Sequence, residues 1–326
     1  MQGGEAIFRS SYKVYSGLLI LLPLIFILSL GLLVGCSKSK KEEREVISEN
    51  VKEEVMLRYP KYAGSFYPDD PVELKSMIED FFSKADVKAD ENVVCLEVPH
   101  AGYIYSGLTA AFAFKSVGYK PDVVIIIGPS HRMPVSGAVL SPIETWRTPF
   151  GDMHVDAKLT EALTKASDYF HIDSSPHEIE HCIEVQLPFI QYLWGDVPIV
   201  PIVIWQGDED SAKKIGEAFE KVVREDGRKV LIVATADLSH YHSLSVATKL
   251  DKVAIEALQS GDPMEIIKKD ELGSCEVDCP FALASVGYYA QKVGAKKAEV
   301  LKWATSAETT GDTSQVVGYL AMKWTK

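Results

Sequence analysis

The chain has 326 residues, 47% of them hydrophobic and 25% charged, with 34 basic against 46 acidic side chains. A formal net charge of −12 argues against nucleic acid or an anionic lipid surface as a partner of the globular part, because both require a basic face. The apolar content is that of a folded protein, and the length suits one large α/β domain.

Arg9 and Lys13 precede Leu18 to Val34, an almost unbroken apolar run of 17 residues that closes on Leu33-Val34-Gly35-Cys36. Such a run is near the lower limit for a membrane span. The small residue directly before Cys36 resembles the lipobox of bacterial lipoproteins. Residues 1–35 are therefore expected to be a lipoprotein signal peptide, with Cys36 the lipidated mature N-terminus. A plain anchor or an ordinary signal peptide is the alternative. The implied localisation is the cell envelope, with the protein exported and held at the membrane through its N-terminal lipid. Residues 36–55, dominated by Lys, Arg and Glu, read as a solvated tether. Without Glu5, Arg9 and Lys13 the balance is 32 basic to 45 acidic side chains, or −13. The folded domain is expected over residues 56–326.

After the tether, Tyr62 to Pro68 is turn-rich. Asp69 or Asp70 can cap a helix with Pro71 in its first turn and Val72, Leu74, Met77, Ile78, Phe81 and Phe82 on its apolar face. A short strand over Val93 to Val98 ends at Pro99-His100-Ala101-Gly102-Tyr103, and Leu108 to Val117 is helix-like. Val123 to Ile127 is five consecutive β-branched apolar residues, the mark of a strand buried on both faces. Gly128 and Pro129 are expected to stop it, followed at once by Ser130, His131 and Arg132. Strand, polar turn, helix and strand make a βαβ unit.

Met133 to Asp156 reads as loops with an added hairpin, and Ala157 to Ala166 as a helix. His177 to Trp194 reads as one helix with Ile183, Leu187, Ile190 and Leu193 along one side. Strands are expected at Ile199 to Trp205 and Lys229 to Thr235, with a helix at Ser211 to Val223 between them. Helices follow at Val246 to Leu258, Pro263 to Lys269 and Phe281 to Val293, then strands at Glu299 to Ala304 and Val316 to Met322. There is no internal repeat. The fold class is thus α/β, a single domain with a largely parallel or mixed central sheet flanked by helices.

Three strands end in the same punctuation, with His100, His131 and the pair Asp237 and His240 just beyond them. If these strands are parallel, their carboxyl ends share one edge, which is where open α/β sheets bind ligands. Imidazoles with a carboxylate are the donor set of a divalent transition metal. A single histidine at a loop mouth is usually a polar surface residue, but three such mouths are less easily dismissed. His154 and His171 carry no such context and read as surface residues, and His242 as a supporting or surface group. Of the cysteines beyond Cys36, namely Cys95, Cys182, Cys275 and Cys279, none forms a CxxC pair. Cys275 and Cys279 could form a disulfide in an oxidising compartment, which competes with a metal-binding role.

Pro99-His100-Ala101-Gly102-Tyr103, Gly128-Pro129-Ser130-His131, Arg147-Thr148-Pro149, Glu180-His181-Cys182-Ile183-Glu184-Val185-Gln186-Leu187-Pro188 and Asp237-Leu238-Ser239-His240 occur in this order in Memo-type proteins. These are also called protein B of the AmmeMemoRadiSam system. The resemblance runs from Tyr62 almost to the last residue, and the family is similar to class III extradiol dioxygenases, α/β enzymes that bind Fe(II). It implies that His100 and His131 are metal ligands. The third family ligand is a cysteine in a Cys-Gly-x-x-Pro-like segment. Here Gly273-Ser274-Cys275-Glu276-Val277-Asp278-Cys279-Pro280 departs from that pattern. Cys275 is the expected third ligand, with Cys279 or Glu276 as alternatives. Two neutral imidazoles and a thiolate suit Fe(II) or copper, with zinc less favoured.

The resemblance also implies that Asp237 and His240 stand beside the metal, His240 as a base oriented by Asp237. His181 and Glu184, three apart on the expected helix, would share its face and line the pocket. The functional expectation is a metal-binding protein, as an enzyme an iron oxygenase of extradiol type. The alternative is a non-enzymatic module in which the same strand-end pocket binds a small molecule, a peptide or copper. A zinc hydrolase ranks lowest.

Overall fold

The computed structural model describes residues 56–295 and 297–326. The expected signal peptide, Cys36 and the whole of the tether lie outside the described residues. Among the described residues no helix is long and apolar enough to cross a membrane.

Strand β1 (Leu57–Arg58) leads to helix α1 (Pro71–Lys84). Asp70 caps α1 as expected, its Oδ1 accepting from the N–H groups of Val72 and Glu73. Leu74, Ile78 and Phe82 are buried, but Val72 is 75% exposed. Two residues before Leu74 means about 200° around the helix, on the opposite face. Strand β2 (Val93–Val98) and helix α2 (Tyr103–Lys115) follow. Helix α2 starts five residues earlier than the sequence predicts, because Tyr103 is buried and its N–H donates to Phe66 O.

Strand β3 (Val123–Pro129) passes through the glycine and proline expected to stop it. Pairing with the strand Val230–Thr235 ends at Ile127, whereas Gly128 and Pro129 stay in register with Val203 and Ile204 on the other side. Pro129 therefore sits where one neighbour has already left, and its missing donor breaks no ladder there. A Cβ on Gly128 would meet Thr235 Cγ2 at 2.5 Å and Cys182 Sγ at 2.9 Å, so glycine lets the chain close over this strand end.

Next come β4 (Ala138–Leu140), β5 (Thr145–Thr148), β6 (Gly151–His154), α3 (Ala157–Ala166), β7 (Phe170–Ile172) and α4 (Ser175–Ile179). A 3-10 turn at Glu184–Gln186 precedes α5 (Leu187–Trp194). The single helix expected over His177 to Trp194 is thus broken. Glu180 is extended, and its Oε1 accepts from the N–H groups of His181 and Cys182, which replaces the helical bonds those groups would make. As a result His181 and Glu184 do not share a helix face.

The remainder is β8 (Ile199–Ile204), α6 (Glu209–Asp226), β9 (Val230–Thr235), β10 (His240–His242), α7 (Leu244–Gln259) and α8 (Glu265–Glu271). It closes with α9 (Pro280–Lys292), β11 (Lys297–Thr305), α10 (Ala307–Thr310) and β12 (Val316–Thr325). The main sheet runs β10-β12-β2-β9-β3-β8-β4-β7, with β11 also pairing β12. Its centre, β2-β9-β3-β8, is parallel, while β12 and β4 join antiparallel on either side. The sheet is mixed.

Strands β1, β5 and β6 form a separate small sheet. Each face of the main sheet carries its own apolar layer. Val123, Ile125 and Ile127 enter one, and Val124 and Ile126 the other, all with no exposed surface. Burying such a side chain contributes about 1.5–3 kcal/mol, so this strand anchors both layers. The parallel centre puts the carboxyl ends of β2, β3 and β9 on one edge.

Candidate metal centre

That edge presents His100 beyond β2, His131 beyond β3 and Asp237 beyond β9. His100 is buried, its N–H donating to Asp237 Oδ1 at 2.9 Å and its Nδ1 lying 3.0 Å from Thr235 Oγ1. His131 is held by Glu180. Its backbone N–H donates to Oε2 at 2.6 Å, and its Nδ1 is 2.9 Å from Oε1. With both Nδ1 atoms occupied, each ring turns its Nε2 toward one carboxylate. Asp278 Oδ2 is 2.8 Å from His100 Nε2 and 3.4 Å from His131 Nε2.

His181 completes the group. Its ring centroid lies 4.5 Å from that of His131 and 5.5 Å from that of His100. One nitrogen from each of the three imidazoles can be chosen so that all lie within 4.8 Å of one another. The contact of His100 Nε2 with Asp278 is at ion-pair distance but off hydrogen-bond geometry, and His181 Nδ1 stands likewise against Glu180 Oε1. Both nitrogens are buried without a hydrogen-bond partner. Three grouped imidazoles, two of them with a buried orphaned nitrogen and two, His100 and His131, with Nδ1 held by Thr235 and Glu180 and Nε2 turned to Asp278, fit a transition metal.

Electrostatics follow the same geometry. Burial works to raise the Asp278 carboxyl, but the imidazoles of His100 and His131 outweigh it and hold the group well below the usual range. Burial works to lower His131, yet its bonds to Asp278 and Glu180 push it up to about 10. Burial lowers His181. Burial raises Asp237. Glu97, in the middle of β2, is fully buried with neither carboxylate oxygen bonded. Burial first, then the charges of Asp237 and Asp278, push it far up.

The structure does not bring Cys275 to this group. Its thiol packs in the core 4.0 Å from Ile266 O, and burial pushes it up to about 12, far from a thiolate at neutral pH. Glu276 is also turned away, accepting from the His240 N–H and lying 2.7 Å from His242 Nε2. Cys279 is buried as the cap of α9, raised by burial. Both cysteines are free thiols. The segment Gly273 to Pro280 delivers Asp278 instead. Asp278 and Glu180 are the residues that sequence reasoning passed over, although both stood inside segments already singled out. A carboxylate among candidate ligands was the available signal.

Asp237 faces His100 rather than orienting His240, since its Oδ1 takes the His100 N–H. Its own N–H donates to Asp278 Oδ1 at 3.1 Å. His240, His181 and Asp237 line a cavity of about 430 Å³ beside the centre. Another cavity, of about 370 Å³ and lined by Ala257, Leu283, Gly287 and Trp324 among others, offers no imidazole or thiol. Glu184, expected in the pocket wall, is buried against Arg58 and accepts from the Tyr67 hydroxyl. His154 and His171 are at the surface as expected, and Arg147 pairs with Asp152 across the β5–β6 hairpin.

A family model described as Memo-like protein matches residues 58–323. The MEMO1 family protein MK0963 of Methanopyrus kandleri is 37% identical over 281 residues, covering 82% of this chain and 98% of that protein. A MEMO1 family protein of Methanococcoides burtonii is 37% identical over 270 residues, covering 82% and 99%. The crystal structure of the uncharacterized protein JW3007 from Escherichia coli K12 superposes with a TM-score of 0.49 at 12% identity, over 71% of this chain and 99% of that one.

Proposed function

The chain belongs to the Memo-like family, and from that footing we propose a metal centre held by His100, His131 and Asp278 that serves a non-haem iron oxygenase of extradiol type. One observation carries this reading: Asp278 Oδ2 faces the Nε2 atoms of both histidines. Two imidazoles and one carboxylate with positions left open are the donor set of non-haem Fe(II) oxygenases. A centre without a thiolate loses the reason for preferring copper(I). A reading as a metal-binding module without turnover draws on the grouping of His100, His131 and His181, because three imidazoles also suit zinc or copper(II).

When bound, iron supplies Lewis acidity toward an aromatic diol and redox chemistry with dioxygen. The residues of the chain do the rest. Glu180 and Thr235 fix the two ligand rings. His240, on the cavity wall, takes a hydroxyl proton of the diol on an imidazole nitrogen. Phe66 and Tyr319 shield the ligand from water. Reconstitution with Fe(II) under anaerobic conditions, followed by dioxygen uptake with catechol, tests the reading. His240→Ala is expected to keep the metal and lose turnover, and Asp278→Ala to lose both. Absence of dioxygen uptake by iron-loaded protein across simple diols overturns the oxygenase.

The reading includes attachment through Cys36, which would hold the domain at a membrane surface. Loss of palmitate labelling in Cys36→Ala is the expected result, and unchanged labelling contradicts it.

A further inference from the structure

The lining of the cavity beside the centre selects charge. Its floor is formed by His181, Asp237 and His240, and Asp312 stands at its exposed outer end. The walls between them are aromatic, from Phe66, Tyr105, Tyr241 and Tyr319. Among the described residues no lysine or arginine contributes to this lining.

Two observations indicate a ligand rather than a bare surface. Tyr241 is the one non-glycine residue among the described residues with a left-handed φ, 59°. Its side chain is 72% exposed, and its ring lies 5.7 Å from that of His240. Its positive φ belongs to the bulge by which β10 shifts register against β12 between His240 and His242, and bulges of this kind re-aim side chains beside ligand sites. Asp312 is also fixed, its Oδ1 accepting from the N–H and the hydroxyl of Ser314 at 2.8 and 2.7 Å. No lysine or arginine pairs with it among the described residues.

Aromatic faces joined to a carboxylate at the mouth, with no lysine or arginine in the described lining, recognise ammonium. At the mouth, away from the imidazoles of the floor, an anion would meet Asp312 with no lysine or arginine of the lining to offset it. We propose that this cavity takes an arylalkylamine, with its ring toward His181 and His240 and its ammonium at the mouth between Asp312 and Tyr241. This rests on the cavity being the ligand site of the centre proposed above, but the recognition itself uses no metal.

The test is a titration of the full chain, stripped of metal, with phenethylamine and with phenylacetate, which share a ring and differ in charge. Phenethylamine is expected to bind about tenfold more tightly at low salt, the size that one cation–π contact and one partly shielded ion pair supply together. Asp312→Asn reduces the ratio to about twofold, and Tyr241→Ala weakens the amine about fivefold while the far-ultraviolet dichroism is unchanged. Equal affinities, preference for the acid, binding of neither, or an unchanged ratio in Asp312→Asn overturns the proposal. Metal content and diol turnover report separately on the centre, because a protein that fails to hold iron still keeps the preference for the amine.

Discussion

Asp278 Oδ2 lies 2.8 Å from Nε2 of His100, a ring whose other nitrogen is already taken by Thr235 Oγ1. The carboxylate thus meets the one His100 nitrogen left for a metal. Asp278→Ala is therefore expected to weaken Fe(II) binding by about a hundredfold or more, at or beyond the upper end of what loss of a supporting residue costs. Chelator competition measures this, and an affinity within twofold of the parent protein would remove Asp278 from the centre.

Metal uptake should depend on pH in a defined direction. Although burial opposes it, Asp278 and Glu180 push His131 up to about 10, so in metal-free protein at neutral pH this ring carries a proton that the metal must displace. Lowering the pH below that value is then expected to weaken apparent affinity by up to about tenfold per unit. Titrations at pH 6, 7 and 8 check it, and a flat profile contradicts it.

His177 predicts an acid-sensitive stability. Its Nε2 lies 3.0 Å from Val139 O, Nδ1 is buried without a partner, and burial lowers the ring to about 4. The unfolded ring titrates near 6.5, so the folded protein binds the fewer protons between these values. Stability present above about pH 6.5 is therefore lost as pH falls toward 4, by at most about 3 kcal/mol. Urea unfolding across this window should show a shallower decline in His177→Gln. Equal slopes would locate the acid sensitivity elsewhere.

Arg58 and Glu184 form a buried ion pair at 2.6 Å. The same guanidinium donates to His177 O and Glu180 O, spanning the loop that carries Glu180 and His181. Arg58→Ala strands the Glu184 charge and is expected to cost about 3–5 kcal/mol of folding stability. Denaturant unfolding reads this cost. A loss below about 1 kcal/mol, the range of exposed pairs, would show that the hydrogen bonds from Lys61, Tyr62 and Tyr67 suffice for the Glu184 charge.

The parts of the fold that sequence reveals are those set by local pattern. Val123 to Ile127 is uniformly β-branched, and Asp70-Pro71 announces a helix start. The edge bearing His100, His131 and Asp237 follows from parallel strands that each end in polar turns. Strands β1, β5, β7 and β10, of two to four residues, are too short for alternation to show. The break at Glu180 escapes periodicity because it depends on a side chain bonding two backbone donors. Cys275 is expected from a family pattern carried across a segment that departs from it. Gly273, with φ 64°, turns the chain there, and Cys275 goes into the core while Asp278 reaches the histidines. No spacing rule specifies such a turn.

The most direct measurement is elemental analysis of protein purified anaerobically and reconstituted with Fe(II), beside His100→Ala/His131→Ala, Asp278→Ala and Cys275→Ala. Near-stoichiometric iron in the parent and in Cys275→Ala, lost from the other two, is the predicted result. Iron retained without the two histidines, or lost with Cys275 alone, would contradict a centre built from His100, His131 and Asp278.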